Sequence, residues 1–224
     1  MSTLPPGYSL HPVTTPDLPT ISALLAASKL PLAINRFLYK DWPNEAVQLA
    51  HCAKVVEAAH QAAESERLKV VDDATGEIVG RLVMTRKTGK GEVGEGEGEA
   101  ATKKGEVPEY MVPEVHERVV RAARELEAGI EGRGVDYLGF VELTHSYVKP
   151  SHRGRGIWSS LIKLLLERGK QAGVPVYVCS EPQMRRGFLG LGFRETGFVD
   201  IDLREFAEEN CGWGVFRLTG MVSE

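Results

Sequence analysis

The sequence predicts a mixed α/β domain in which strands and helices alternate without a repeat of fixed length. Two observations support this prediction. First, a turn at 72–76 that contains Asp and Gly joins two β-branched runs, residues 68–71 and 78–85, as in an antiparallel hairpin. Second, an apolar strand pattern over 135–148 is followed by a Gly/Arg-rich loop and then by apolar residues at helical spacing. With 224 residues, the chain is long enough for one domain with a sizeable core.

The other elements follow from local patterns, taken in order. Residues 8–13 alternate as a strand, and residues 14–17 offer cap residues before a helix that includes Ile21 and Leu24. The alanine-rich run at 42–65 predicts a second helix, and residues 112–128 predict a charged helix that ends at Gly129. Beyond the loop we predict a helix over 158–171, a short helix over 183–191, and strands over 174–179, 193–202 and 214–222.

Residues 88–106 consist mainly of Gly, Glu and Lys and hold almost no large apolar side chains. Such a composition is typical of a disordered loop. Gly89, Gly91 and Gly94 fit the spacing GxGxxG, but acidic, glycine-rich sequence follows them where a dinucleotide site needs a helix. We therefore interpret this match as chance.

The composition narrows the possible partners and the compartment. The formal net charge is −4, so no overall positive charge attracts nucleic acid or an anionic membrane, and a small molecule or protein is the expected substrate. Cys52, Cys179 and Cys211 show no CxxC spacing, which argues against a disulfide framework or a cysteine-based metal site. No signal peptide and no apolar run of about 18 residues is evident. We expect a soluble cytoplasmic protein that requires no metal.

The segment that begins at Ser151 carries the most specific signal. Gly154 and Gly156 permit turn conformations and a close approach to a ligand, and apolar residues from Ile157 onward begin a helix. Unpaired amides at a helix N-terminus form an anion site, and Arg153 and Arg155 add positive charge. A diphosphate fits this loop. The Gly-Lys-Ser/Thr ending of an NTPase loop is absent.

This segment, Val148-x-Pro150-x-x-Arg153-Gly154-Arg155-Gly156-Ile157, resembles the Q/R-x-x-G-x-G/A motif of the GNAT (GCN5-related N-acetyltransferase) superfamily, and the run Leu191-Gly192-Phe193 also resembles that family. The resemblance implies a single domain over residues 8–224, with a central, mostly antiparallel β-sheet, flanking helices, and splayed fourth and fifth strands. It also implies acetyl-CoA as cosubstrate. The implied cofactor-binding residues are Tyr147 and Val148 on the strand, and Arg153, Gly154, Arg155, Gly156, Ile157, Trp158 and Ser159 in the loop and helix start.

Two positions depart from the family pattern. Trp158 stands where the motif has Gly or Ala, which crowds the start of the helix. Phe188 stands where the family commonly has a tyrosine, so no hydroxyl at that position can protonate the CoA thiolate. Because a thiol pKa lies near 8.5, the thiolate is a fair leaving group without such an acid.

An aliphatic amine needs a base, since its pKa is about 10.4. Glu142 is the first candidate, because it lies six residues before Val148, as the glutamate base does in histone-acetylating members of the superfamily. The alternative is a glutamate in solvent or in a salt bridge. His145 lies on the opposite face of the strand from Glu142 unless a bulge intervenes, and the alternative is a hydrogen-bonded core histidine.

Two further candidates for a role in the chemistry lie at the end of the predicted fifth strand or just after it. Glu181 lies near where acceptor amines enter in this family, and the alternative is a cap for the short helix. Cys179 permits an acyl-cysteine intermediate, but a buried small hydrophobic residue is the favoured interpretation. We therefore expect direct transfer.

The leading hypothesis is an N-acetyltransferase that acts on a primary amine of a small molecule. One alternative is a catalytically silent module that binds acyl-CoA, and another is an enzyme that acetylates a protein lysine or N-terminus. A nucleic-acid module is disfavoured, because the chain lacks aromatic stacking partners and a basic pI. A homodimer remains open, as does the identity of the acceptor, because fold does not fix substrate.

Overall fold

The computed structural model describes residues 4–87, 107–131 and 139–223. The strands are β1 (Tyr8–Pro12), β2 (Ser65–Asp72), β3 (Ile78–Lys87), β4 (Phe140–Val148), β5 (Val176–Ser180), β6 (Arg194–Asp202) and β7 (Val215–Ser223). The α-helices are α1 (Leu18–Lys29), α2 (Ala33–Leu38), α3 (Glu45–Gln61), α4 (Pro113–Glu131), α5 (Ile157–Ala172) and α6 (Arg185–Gly190).

The seven strands form one sheet in the order β1-β2-β3-β4-β5-β7-β6. All neighbouring strands are antiparallel except β4 and β5, which are parallel. Helices pack on both faces. On one face, Ile157, Leu161 and Leu165 of α5 join the largest core cluster. On the other face, α1 and α3 pack around Tyr147 of β4. The predicted mixed α/β class with a mostly antiparallel sheet is confirmed.

The strands β4 and β5 separate soon after they meet. Their pairing is limited to Val141 with Val176 and Glu142 with Tyr177. From that point β5 continues along β7, and the second half of β4 pairs with β3 alone. A parallel pair that splays in this way leaves backbone groups and side chains at the gap available to a ligand. The gap is the starting point of the cleft described below.

A bulge in β4 changes which side chains share a face. Met84 pairs with Leu143, but the preceding residue Val83 pairs with His145, so Thr144 is the extra residue. Paired residues share a face and residues two apart in a strand share a face, so Glu142 and His145 both lie on the face packed against α1 and α3. The strand is therefore not regular here, and the exception named for the prediction of opposite faces, an intervening bulge, applies.

Most predicted elements are confirmed, including the hairpin of β2 and β3 and the order after the loop. The helix α2 was not predicted, since six residues are too few to show a period. The helix α4 continues past Gly129 to Glu131, because Ile130 packs against Phe140 and Tyr177 in the core. The predicted loop 88–106, its glycines and residues 135–138 of the predicted strand lie outside the described residues.

Candidate active site

The loop ahead of α5 presents its backbone as a cradle. Gly154 and Gly156 have φ values of +74° and +84°, which favour glycine. Gly156 is the N-cap of α5, and no side chain caps the helix there. The amides of the first helical turn, at Ile157, Trp158 and Ser159, therefore have no acceptor within the helix. Together with the helix dipole, these donors suit a bound diphosphate.

The two loop arginines are tied to neighbouring strands. Arg153 Nε donates to the Val148 carbonyl oxygen at 3.1 Å, and the guanidinium lies 5.5 Å from the Tyr147 ring centroid. Arg155 Nη1 donates to the Tyr8 hydroxyl at 2.7 Å. Both side chains thus hold the loop against the end of β4 and against β1. Arg153 also lines the cleft, where its positive charge favours a bound anion.

Trp158 is turned away from the loop and toward α6. Its Nε1 donates to Ser146 Oγ at 3.1 Å, and its ring lies edge-on to Phe188 with centroids 5.1 Å apart. A Cβ added at Gly187 would lie 2.9 Å from the ring, so only glycine leaves room for it there. The crowding expected from this tryptophan is therefore accommodated by α6, and the ring becomes part of a cleft wall.

A cleft of about 520 Å³ occupies the gap between β4 and β5. It extends from the loop and Trp158, past the second half of β4, to the ends of α1 and β5. Its lining comprises Ser28, Lys29, Pro31, Leu143, Thr144, His145, Ser146, Tyr147, Val148, Arg153, Trp158, Val178, Cys179, Ser180, Glu181, Gln183, Met184 and Phe188. The structure thus brings Arg153 of the loop, Trp158, His145 and Glu181 together on one cavity. The other residues predicted to bind the cofactor in the loop and helix start do not line it: Gly154, Arg155, Gly156, Ile157 and Ser159.

His145 lies in the cleft wall beside α1. Its Nε2 is 3.1 Å from Ser28 Oγ, and its Nδ1 has no hydrogen-bond partner among the described residues. Burial lowers the pKa of His145 well below 6.5, and the positive charges of Arg81 and Lys29 lower it further. The imidazole is therefore neutral at neutral pH and has a lone pair to accept a proton.

Glu181 follows β5 at the other side of the cleft. Its Oε1 accepts from Lys29 Nζ at 2.8 Å, and its Oε2 accepts from Gln183 Nε2 at 2.7 Å. The Glu181 side chain is 25% exposed. Lys29 and Gln183 thus hold the carboxylate in a fixed orientation, and its remaining lone pairs can accept a hydrogen bond from an amine N–H.

Glu142 lies outside the lining of the cleft, although it shares a face with His145. Its Oε2 is 3.5 Å from Lys87 Nζ, which is also 3.8 Å from Glu127 of α4. The side chain is 16% exposed. The salt bridge named as the alternative for this glutamate is therefore present.

Cys179 and Phe188 limit the chemistry of the cleft. Burial raises the pKa of the Cys179 thiol to about 12, with the carboxylates of Glu142 and Glu181 adding to the effect. The thiolate is the nucleophile in acyl transfer to cysteine, so this thiol is a poor one near neutral pH. Phe188 is buried and packs between Trp158 and Phe193, without a hydroxyl for proton transfer.

Several lining residues carried no sequence signal. Ser28 and Lys29 lie at the end of α1, which carries no motif, and 117 positions separate Ser28 from its partner His145. The Trp158–Ser146 hydrogen bond likewise depends on how α5 crosses β4. No motif spacing encodes contacts of this kind. Among the residues that the structure describes, no group of His, Cys, Asp and Glu side chains could hold a metal ion, and no helix is long and apolar enough to cross a bilayer.

Sequence comparison assigns the family. Residues 33–193 match the Acetyltransferase (GNAT) family. The chain belongs to this family. No curated protein matches the sequence.

Solved structures of GNAT acetyltransferases share this fold. A mutant of agmatine N-acetyltransferase in its apo form is similar with a TM-score of 0.64 and 15% identity, over 97% of this chain and 99% of the other. NAA60 of Arabidopsis thaliana, in complex with a bisubstrate analogue, is similar with a TM-score of 0.54 and 14% identity, over 96% and 97%. A phosphinothricin acetyltransferase of Sinorhizobium meliloti, in complex with AcCoA, gives 0.50 and 14% over 97% and 88%. At these identities the likeness concerns the fold.

Proposed function

We propose that this GNAT protein is an acetyl-CoA-dependent N-acetyltransferase that moves an acetyl group directly to a primary amine, with a small-molecule acceptor favoured. The observation that supports this most is what lines the cleft. At one end are Arg153 and Trp158, which flank the amide cradle at Gly156 that suits a diphosphate, and at the other are a neutral histidine and an oriented carboxylate, which suit an amine. A solved neighbour with AcCoA bound has the same fold.

In this proposal, the backbone groups of Tyr147 and Val148 in β4 align the thioester along the splayed gap, as the resemblance to the family implies. Residues Gly154 to Ser159 bind the pyrophosphate. His145 takes the proton of the amine. Burial lowers the pKa of His145 most, and the positive charges of Arg81 and Lys29 lower it further. The same charges favour the neutral, nucleophilic form of an amine bound beside the ring. The nitrogen becomes more acidic as it bonds to the carbonyl carbon, so a base of low pKa is sufficient at that stage.

The three candidates for the base are thereby ranked by position. His145 comes first, because it lines the cleft and its ring is neutral at neutral pH. Glu181 lines the cleft but is engaged by Lys29 and Gln183, so we assign it to acceptor binding. Glu142 remains a candidate base because it has a carboxylate group, although this group pairs with Lys87 and does not line the cleft.

The cofactor site is tested by calorimetric titration of acetyl-CoA and CoA into the wild type and two matched variants. Gly156→Ala and Gly173→Ala each force a residue with positive φ at one end of α5, at a cost of about 1–2 kcal/mol. Gly156→Ala should weaken acetyl-CoA binding about tenfold or more, which is about 1.4 kcal/mol. Gly173→Ala should leave binding nearly unchanged. Wild-type protein that does not bind acetyl-CoA would refute the acetyltransferase proposal.

Thiol release over a panel of small amines and of peptides with free lysine or N-terminal amines then tests turnover. His145→Gln should lower kcat by about 10²–10⁴, as expected for loss of a general base. Faster turnover of small amines than of peptides would support the small-molecule assignment, and the reverse would favour a protein acceptor. Binding of acetyl-CoA without turnover of any acceptor would favour the silent module.

A further inference from the structure

Residues 4–8, ahead of β1 and at its first position, lie against the loop that precedes α5. Leu4 and Tyr8 pack on the core cluster to which α5 contributes. A Cβ added at Gly156 would lie 3.7 Å from Cγ of Pro5. This segment therefore borders the N-cap of α5, which is where the proposed function places the diphosphate of acetyl-CoA.

The Tyr8 hydroxyl and the Arg155 guanidinium join β1 to this loop. Arg155 Nη1 donates to the Tyr8 hydroxyl oxygen at 2.7 Å, and Nη2 donates to the Ser151 carbonyl oxygen at 3.2 Å. A guanidinium carries five N–H groups, and these two bonds leave three without a partner among the described residues. Because the hydroxyl accepts from Arg155, its own proton is available to another acceptor. The pair thus offers several donors directly before Gly156.

The Tyr8 ring is held in place from several sides. It packs on the core cluster, and it stands edge-on to the His152 ring with centroids 5.9 Å apart and planes at 84°. His152 is held in turn by Asp72, whose Oδ2 lies 3.2 Å from His152 Nε2, and Tyr8 pairs with Asp72 across β1 and β2. A donor fixed in this way loses little conformational freedom when a ligand binds. Less ordering of Arg155 is then needed when an anion binds beside it.

A phosphate group is the ligand that matches these donors. The two acceptors of Arg155 are uncharged oxygens, so they do not neutralise its positive charge. A planar guanidinium recognises phosphate oxygens in pairs, and a tyrosine hydroxyl adds a single donor. The whole chain has a net charge of −4, so local positive charge has to supply the attraction for an anionic cosubstrate.

We propose that Tyr8 is a phosphate-binding residue of the acetyl-CoA site, whose hydroxyl orients Arg155 beside Gly156 and donates its own proton to an oxygen of the diphosphate. This inference rests on the proposed function. It adds a residue of β1 to a cofactor site that the sequence motif places within residues 147–159. The contribution concerns the diphosphate alone, so an acyl donor without phosphate groups, acetylpantetheine, gains nothing from Tyr8.

Calorimetric titration of CoA and dephospho-CoA measures this contribution without any acceptor amine. Tyr8→Phe keeps the ring and removes only the hydroxyl. Ser9→Ala is the matched control, because it removes a hydroxyl of β1 that contacts His11 and not the loop. Thermal unfolding of the two variants without ligand checks that both retain the fold.

Tyr8→Phe should weaken CoA binding about 5- to 10-fold, as expected for the loss of a hydrogen bond to a charged group, and Ser9→Ala should leave it unchanged. The loss in Tyr8→Phe should be the same for dephospho-CoA, which keeps the diphosphate and lacks only the phosphate on the ribose. An unchanged or tighter affinity of Tyr8→Phe for CoA, or a loss confined to CoA, would overturn the inference.

Arg155→Gln tests whether Tyr8 acts together with the arginine. This variant should weaken CoA binding about tenfold or more, because a charge-assisted contact is lost. The double variant Tyr8→Phe, Arg155→Gln should weaken binding less than the product of the two single effects, since the two groups are hydrogen-bonded to each other. Effects that multiply without coupling would contradict a role of Tyr8 in orienting Arg155.

The choice of acyl donor separates phosphate binding from a purely structural role. With acetyl-CoA, Tyr8→Phe should lower kcat/KM for the donor about 5- to 10-fold, and with acetylpantetheine it should match the wild type. Equal losses with both donors would show a general disturbance of the site and contradict the proposal. Wild-type protein that does not bind CoA would refute the proposed function as well, whereas wild type and Tyr8→Phe that bind CoA equally would refute this inference alone.

Discussion

The close packing of α5 on β5 gives a stability prediction with a defined sign. Gly169 of α5 is buried, and a Cβ added there would lie 2.4 Å from Val176 Cγ2 and 3.1 Å from the Val174 carbonyl oxygen. Overpacking of this kind costs about 1–3 kcal/mol, and the distance of 2.4 Å points to the upper end. The gain in helix propensity from Gly to Ala returns about 1 kcal/mol. Gly169→Ala should therefore lower the free energy of unfolding by about 2 kcal/mol.

Gly129→Ala in α4 is the matched control, because a Cβ added there meets nothing within 4 Å. Only the helix-propensity gain remains, so this variant should be more stable than the wild type by about 0.5–1 kcal/mol. Urea denaturation and calorimetry measure both variants. For a chain of this size, 1 kcal/mol corresponds to about 2–4 °C in Tm, so the two variants should move Tm in opposite directions.

The double variant Gly169→Ala, Val176→Ala tests the named contact. The smaller side chain at Val176 leaves room for the new methyl group, so the two changes should destabilise less together than the sum of the single changes. A Gly169→Ala protein as stable as Gly129→Ala would refute the reasoning, because it would mean that α5 does not approach β5 as closely as the structure has it.

Three further predictions concern the cleft. Burial lowers the pKa of His145, so below pH 6.5 this residue binds a proton in the unfolded chain but not in the folded one, and the free energy of unfolding falls by up to about 1.4 kcal/mol per pH unit. Denaturation of His145→Gln should therefore show a smaller loss of stability between pH 7 and 5.5 than the wild type. Equal losses in the two proteins would contradict the lowered pKa. Because burial raises the pKa of Cys179 to about 12, alkylation read by mass spectrometry should modify exposed Cys211 faster than Cys179. The variant Cys179→Ala should retain turnover, and loss of turnover in this variant would argue for an acyl-cysteine intermediate. Gly187→Ala should push the ring of Trp158 into the cleft and weaken acetyl-CoA binding in calorimetry, whereas unchanged binding would place the ring away from the bound cofactor.

The sequence alone was sufficient for the fold class and for the loop. Gly154 and Gly156 lie in one local segment with Arg153, and the helix that follows shows its period over four turns. Such signals depend on neighbours along the chain, so they survive without knowledge of the fold. The hairpin of β2 and β3 was predicted for the same reason.

The arrangement of the catalytic candidates depended on tertiary structure. A bulge at Thr144 brings His145 to the face of Glu142, and the period of the strand alone predicts the opposite. Likewise, the salt bridge between Glu142 and Lys87 requires the pairing of β4 with β3. Register is decided by the packing of whole strands, which a local pattern does not contain.

For the chemistry of the cleft, too, the sequence determines one part and the tertiary structure the other. The groups that suit this chemistry, namely the glycine-rich loop, a histidine and a glutamate, can be recognised in the sequence. Contacts between elements more than a hundred residues apart decide which of them share a cavity. The contact of Ser28 in α1 with His145 in β4 is an example. Burial and nearby charges then set the pKa values of His145 and Cys179, because desolvation depends on what surrounds a group in the folded protein.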